Sequence, residues 1–424
     1  MTSVLRLTIP AAGLIFITAA APIAAAQGAP AGIGARLLQD PAVTTALEAA
    51  KRDEPAIIAD QIRLCAVPAP PFNEGARAAV YKQSFEAVGL TNVRIDAAGN
   101  VLGERPGRAP RPHLVFSAHL DTVFPEGTPV AASRSGPILS GPGIADDCRG
   151  LAVLLGVIRA LHAANLQTAG SITFVGTVGE EGLGDLRGVK HLFSAELKGA
   201  VDRFVSIDGA GMAITATAVG SLRYRVTFSG AGGHSYGDFG IANPIHTLGR
   251  AVARVADLQV PREPRTTFNV GRIGGGTSVN SIASSAWMEV DLRSAAPAAL
   301  SALDAGLQQA LDAAIRDENE RAGSRGRVTL EKEVVGNRPG GRNPADAPIV
   351  EAALSVTRAL GYATEVDEGS TDANVPISLG IPAITIGGGG TAQGTHTTKE
   401  TFDTTDSWQG SLRALLLAIA LTEP

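Results

Sequence analysis

Short unbroken apolar runs recur along this chain, separated by segments with helical spacing. His113–Ser117, Ile172–Thr177, Phe204–Ile207 and Ala383–Ile386 are such runs. Leu151–Ala164, between the first two, is strongly amphipathic, and residues 36–64 and Glu74–Val88 read as earlier helices on either side of the proline-rich turn Pro68–Pro71. A strand covered on both faces is apolar throughout, whereas a strand with one wet face alternates. The runs therefore predict a buried, largely parallel sheet with helices packed on it, an α/β fold.

The middle of the chain has a different rhythm. Leu222–Phe228 alternates, Thr266–Ile273, Ala286–Leu292 and Val328–Val334 are strand-like, and Pro244–Ala256 and Pro297–Arg321 are helical. The order β-α-β-β-α-β suggests a small α+β sandwich on an antiparallel sheet. We expect residues 27–217 and 336–424 to form one α/β domain and residues 218–335 to be a lid inserted into it.

Before residue 27 the pattern is that of export. Arg6 precedes an apolar stretch from Leu7 to Ala21, and Ala24-Ala25-Ala26 supplies small residues for cleavage. This is the anatomy of a secretory signal peptide at 1–26, and Pro10, Gly13 and Pro22 weaken the alternative of a spanning anchor. We expect a periplasmic or secreted protein without stable membrane association after cleavage.

Composition narrows the classes further. The 424 residues are 45% hydrophobic and 18% charged, with a net charge of −5. That is too apolar for a disordered chain, and the unclustered acidic balance argues against nucleic acid as a partner. Two cysteines, Cys65 and Cys148, cannot build a disulfide framework. Their pairing would suit an exported protein, though no spacing rule supports it, and a partly buried Cys148 thiol or an extra metal ligand are the other readings.

The chemistry lies at the ends of the apolar runs. The first ends in Ser117-Ala118-His119-Leu120-Asp121, the second leads to Gly179-Glu180-Glu181-Gly182, and the third to Ile207-Asp208-Gly209. Gly143-Ile144-Ala145-Asp146-Asp147 precedes a helix, and Gly394-Thr395-His396 follows the last run. Sites in open α/β sheets form beyond the carboxyl ends of strands. Crowded carboxylates repel unless cations neutralise them, and imidazole with carboxylate suits two Zn²⁺ ions, with Co²⁺ or Mn²⁺ as substitutes.

HLDT at 119–122, GPGIADD at 141–147, GEEG at 179–182, the SIDG aspartate, GGHS at 232–235 and the late His396 resemble the family of glutamate carboxypeptidase, peptidase T and succinyl-diaminopimelate desuccinylase. The resemblance runs in order along nearly the whole mature chain. It implies a two-metal peptidase or amidohydrolase whose lid often dimerises, so a homodimer is expected. Carried over, Asp146 bridges the metals, His119 and Asp208 hold one, and Glu181 and His396 hold the other. Glu180 is the general base, and Asp121 fixes the His119 tautomer or the position of Glu180. His234 stabilises the tetrahedral oxyanion, commonly in the partner's site. Asn280 and Arg293 grip the substrate, Arg293 by pairing with a carboxylate.

The chain also departs from that pattern. Cys148-Arg149-Gly150 stands where many relatives have Lys-Gly-Gly, and Lys399 where they often have an acid. Ser370–Asn374 resembles a loop near the metals and is given a supporting role. His113, His162, His191 and His246 match no motif position and read as structural or surface residues. The leading expectation is an exported peptidase of short peptides. The alternative is an N-acyl-amino-acid amidohydrolase using the same chemistry. A non-catalytic binding protein has no need of a base beside two metals, and the lid residues suit a carboxylate better than a phosphoester.

Overall fold

The computed structural model describes residues 32–344 and 346–424. The expected signal segment at 1–26 lies outside the described residues.

Four strands form the centre of the main sheet, in the order Ile172–Thr177, Leu114–His119, Arg203–Ile207, Ala383–Ile386, all parallel. Each is buried over nearly its whole length. Their alternating side chains feed two cores. Phe116, Phe174, Val205 and Ile384 pack with helices Pro41–Cys65, Cys148–Ala163 and Trp408–Ala420. Val115, Val175, Phe204 and Ala383 pack on the opposite face with Val189, Leu192 and Val375. Burial on both faces explains why these strands read as continuous apolar runs. Antiparallel strands extend the sheet at both edges, and the first two of them, Thr91–Ile95 and Val101–Arg105, carry no run that announces them.

Parallel register puts the carboxyl ends of the central strands together. Leu114 lies opposite both Ile172 and Arg203, His119 opposite Thr177, and Ile386 opposite Ile207. The residues that follow these strands therefore emerge on one rim.

Residues Gly220–Arg338 build a separate antiparallel sheet ordered Thr266–Gly275, Ser285–Ser294, Gly220–Ser229, Thr329–Arg338. Helices Pro244–Ala256 and Pro297–Ala322 cover one face, burying Tyr224, Val226, Phe228, Met288, Val290 and Leu292. The other face carries Arg223, Arg225, Trp287, Glu289, Asp291 and Arg293 and is only partly covered. Arg225 stacks 4.0 Å from the Trp287 ring centroid while pairing with Glu289 at 2.7 Å. This is the wet face that the alternation at 222–228 predicts. The last strand runs four residues beyond the expected end at Val334, through an irregularity between Val334 and Gly336.

A third small sheet, Thr391–Gln393, Thr401–Asp403, Ile138–Ser140, Ser133–Ser135, ties the late loop around residue 396 to the loop at 141–147.

Candidate metal centre

Asp146 turns its two carboxylate oxygens to two histidines. Oδ1 lies 2.8 Å from Nε2 of His119, and Oδ2 lies 3.0 Å from Nε2 of His396. Asp208 stands on the His119 side, 3.9 Å from the same Nε2. Glu181 stands on the His396 side, with Oε1 2.9 Å from Nε2. Ligand atoms of His119, Asp146 and Glu181 lie within 4.8 Å of one another, as do those of His119, Glu180 and Asp208. The structure thus brings together all five expected ligands and Glu180.

The electrostatics show what such a cluster needs. Burial pushes Asp208 well above the usual carboxylate range, and Asp146 adds to the effect. Burial also pushes Glu180 up to about 8, against the pull of Arg338 and with a further push from Glu181. Burial works against ionised Asp146 too, but hydrogen bonds with His119 and His396 hold it well below its ordinary value. Hydrogen bonds with Asp146 and then Glu181 raise His396 to about 10. Protonated imidazoles thus offset the crowded carboxylates. Two divalent cations would take the place of those protons against the same nitrogen and oxygen atoms. Two imidazoles and three carboxylates are a donor set that fits Zn²⁺-type cations.

A surrounding shell fixes these side chains. Asp121 is fully buried and accepts hydrogen bonds from the backbone N–H groups of Glu180 at 3.0 Å and Glu181 at 2.8 Å. Its main-chain oxygen lies 3.1 Å from Nδ1 of His119 and accepts the Nδ1 proton, which leaves Nε2, facing Asp146, as the nitrogen at which a cation would displace a proton. Asp121 thus contacts both the His119 ring and the backbone of Glu180 and Glu181. Asp147 caps the helix that starts at Cys148 by accepting from Gly150 N–H at 2.9 Å, and it also accepts from the backbone N–H of His119 at 3.0 Å. Glu400 accepts from the N–H groups of Gly143 at 3.1 Å, Ala145 at 2.8 Å and Asp146 at 3.1 Å. Arg338 donates from Nη1 to Glu180 Oε1 at 3.1 Å and from Nη2 to the Glu180 carbonyl. Thr177 donates to buried Asp372 at 2.5 Å.

Asp147, Arg338 and Glu400 have no assigned role in the sequence reading, and Asp372 has only the supporting role given to its segment. Asp147 was findable as a cap just before an apolar helix. Asp372 lies in the Ser370–Asn374 segment already singled out. Glu400, next to the departure at Lys399, is buried, whereas Lys399 is exposed. Arg338 had no signal, because its strand continues past the apolar alternation.

The expected lid residues His234, Asn280 and Arg293 make no hydrogen bond or ion pair with the cluster among the described residues. His234 pairs with Ser281 in the two-stranded ribbon Gly233–His234 and Ser281–Ile282, with Asn280 next to it. Nδ1 of His234 accepts from the N–H groups of Tyr236 and Gly237, both at 3.2 Å, which leaves Nε2–H as an outward donor. Arg293, on the partly wet face, pairs with Asp291 at 2.7 Å. It lines a pocket of about 290 Å³ with Gly182 and Leu183, and another of about 240 Å³ with Ser370.

Cys148 is neither a free thiol nor a ligand. It is disulfide-bonded to Cys65 with Cα atoms 5.6 Å apart, and both residues are buried. The pairing joins the end of helix Pro41–Cys65 to the start of helix Cys148–Ala163, which sequence spacing could not foretell. Arg149, the other departure, is fully buried and bonds Glu54 at 2.8 Å and the carbonyls of Gly388 and Ser407. It is a structural tie rather than a rim group. His113 is likewise structural, held between Ala200 O and Thr173 Oγ1 at 2.8 Å each.

Comparison with known proteins places this geometry in context. The family model described as Peptidase family M20/M25/M40 matches residues 115–420. The chain is 26% identical over 348 residues to the uncharacterized protein YqjE of Bacillus subtilis (strain 168), covering 79% of this chain and 90% of that protein. It is 26% identical over 366 residues to carboxypeptidase G2 of Pseudomonas sp. (strain RS-16), covering 80% and 82%. Among solved structures it resembles in fold the aminopeptidase PepT from Bacillus cereus ATCC 10987, with TM-score 0.67 at 23% identity, covering 87% of this chain and 98% of that one.

Proposed function

The chain belongs to peptidase family M20/M25/M40, and from that membership we propose that it is an exported two-zinc peptidase hydrolysing amide bonds of short peptides. The observation that carries this reading is the placement of Asp146 between His119 and His396, with Glu180 beside the pair. When bound, the two cations polarise the scissile carbonyl and acidify the attacking water. Glu180 takes the proton of that water and returns it to the leaving amine. Asp121 and Arg338 hold Glu180 by its backbone and its carboxylate.

Asn280 and Arg293 grip the substrate, Arg293 by pairing its two-pronged guanidinium with a carboxylate. His234 presents Nε2–H to the oxyanion from the partner chain of a homodimer. Support for that dimer is the exposure of Tyr236, Phe239, Ile273 and Val279 around the same part of the second sheet, at 89, 81, 61 and 102%. Apolar surface of this kind marks association sites. Export is supported by the residue pattern at 1–26 and by the Cys65–Cys148 disulfide, since such bonds persist in oxidising compartments. Among the described residues no helix is long and apolar enough to cross a membrane.

The second reading, an N-acyl-amino-acid amidohydrolase, uses the same residues on another acyl group. The test is to strip the protein beginning at residue 27 of metal and reload it with Zn²⁺, Co²⁺ or Mn²⁺. It is then assayed against dipeptides, tripeptides and N-acyl amino acids. Hydrolysis of short peptides restored by metal is expected. Turnover confined to N-acyl amino acids selects the second reading, and no hydrolysis with any metal overturns both.

A further inference from the structure

The proline-rich turn at 68–71 ends in an aromatic residue that packing does not explain. Phe72 is 62% exposed and has φ +66, a left-handed conformation unfavourable for a bulky side chain. The chain around it is nevertheless tied down. The Phe72 N–H donates to Glu74 Oε1 at 3.1 Å, and Arg187 Nη2 donates to Glu74 Oε2 at 2.5 Å. The Arg187 guanidinium lies 5.2 Å from the Phe72 ring centroid.

Both sides of this network are loops of the metal centre. Two residues past Leu120, the Thr122 N–H donates to Ala69 O at 3.1 Å. Arg77 donates to Val67 O at 2.9 Å and Leu120 O at 2.7 Å, joining the turn to the loop after His119. Arg187 runs along Gly179, where an added Cβ would lie 2.1 Å from Nη1, immediately before Glu180. The turn before Phe72 is thus tied to the loop after His119, and the guanidinium that faces the Phe72 ring lies against Gly179 in the loop that carries Glu180 and Glu181. Leu183, on that second loop, is 55% exposed. Backbone strain maintained by its surroundings concentrates at functional sites, and here it presents an apolar ring to water.

We propose that Phe72 is a specificity-determining residue that receives an apolar side chain of the substrate residue flanking the scissile bond. The inference rests on the peptidase reading and names a substrate class for it: short peptides with a bulky apolar residue beside the cleaved amide. A glycine at that position offers nothing to cover the ring. Apolar contacts at such a site discriminate by about tenfold or more.

The test is a matrix of dipeptides with Gly, Leu or Phe at either position, assayed on the metal-loaded enzyme. Wild type should favour Leu and Phe over Gly at one position, and Phe72→Ala should lower that ratio of kcat/KM by about tenfold. Phe72→Leu should keep most of it. Phe72→Gly should lose the preference yet melt within a few degrees of wild type, because glycine accepts the left-handed backbone. A ratio unchanged in Phe72→Ala at both positions, or severe destabilisation of Phe72→Gly, overturns the proposal. Calorimetry in a Glu180→Gln background separates it from the peptidase reading. Binding of Leu-Gly or Gly-Leu should exceed that of Gly-Gly with Phe72 present and not with Phe72→Ala. If the matrix shows no turnover but this difference in binding persists, the hydrolytic reading fails and the role of Phe72 stands. If binding shows no such difference, the role of Phe72 fails.

Discussion

The carboxylate of Glu400 accepts a hydrogen bond from the backbone N–H of Asp146 at 3.1 Å, across 254 positions of sequence. Glu400 follows His396 by four residues, so one side chain fastens the late-histidine loop to the loop of the proposed bridging aspartate. Glu400→Ala should therefore weaken cation binding by about 10–100-fold, the usual cost of removing an outer partner of a ligand. Glu400→Gln, which keeps an acceptor oxygen, should lose less. Competition titration against a chelator checks this, and affinity unchanged in Glu400→Ala would mean that the Asp146 loop holds itself.

Cation uptake should release protons at pH 7. In the cation-free protein, hydrogen bonds with Asp146 and Glu181 raise His396 to about 10. Burial opposes charge on His119, yet hydrogen bonds with Asp121 and Asp146 raise it well above its ordinary value. Both imidazoles then carry protons that a cation displaces. Calorimetric heats should depend on the ionisation enthalpy of the buffer, and heats independent of buffer would contradict the assignment.

The same shifts set the pH dependence of the stripped protein. A histidine whose folded pKa is raised contributes stability that is complete below its unfolded value of about 6.5. That contribution is lost as pH rises toward the folded value of about 10. Melting temperature without metal should fall across that interval, and the fall should shrink when cations occupy the site. A melting curve that rises with pH over this range would show that the imidazole–carboxylate pairs do not stabilise the fold.

The Cys65–Cys148 bond closes a loop of sequence separation 83. Restriction of the unfolded chain by a loop of that size is worth about 4 kcal/mol. The double variant Cys65→Ala/Cys148→Ala should lose a large part of that stability in denaturant unfolding, and it should bind metal less tightly because Cys148 adjoins the Asp146–Asp147 loop. Unchanged unfolding would mean that packing alone holds the two helices together.

His234 makes no hydrogen bond or ion pair with the cluster of its own chain among the described residues, and its outward Nε2–H suits action in a partner. Mixing inactive His234→Ala and Glu180→Ala subunits under exchange should restore activity toward about a quarter of wild type. Half the dimers would be mixed and one of two sites repaired in each. No recovery despite verified exchange would place His234 outside the partner's site.

What was legible in the sequence follows the strength of the physical signal. The central strands are buried on both faces, so their apolar runs stand out, and parallel register carries His119, Glu180, Glu181 and Asp208 to one rim. The ligand roles came from motif resemblance rather than spacing. His396 reaches Asp146 only through the pairing of Thr401–Asp403 with Ile138–Ser140, strands too short to show a period. Arg338 sits beyond an irregularity that interrupts alternation, and Phe72 owes its place to a left-handed turn written in no hydrophobic pattern. The Cys65–Cys148 pair depends on how two helices pack, which neither helix encodes alone.

Glu180 is proposed to move the proton at a site built by five other residues. The most direct test joins elemental analysis with turnover for Glu180→Gln. Glu180→Gln should hold about two cations per chain, as in wild type, and lose kcat by about 10²-fold or more on whichever substrate the wild type cleaves. Retention of more than about a tenth of wild-type kcat with normal metal content would contradict that role.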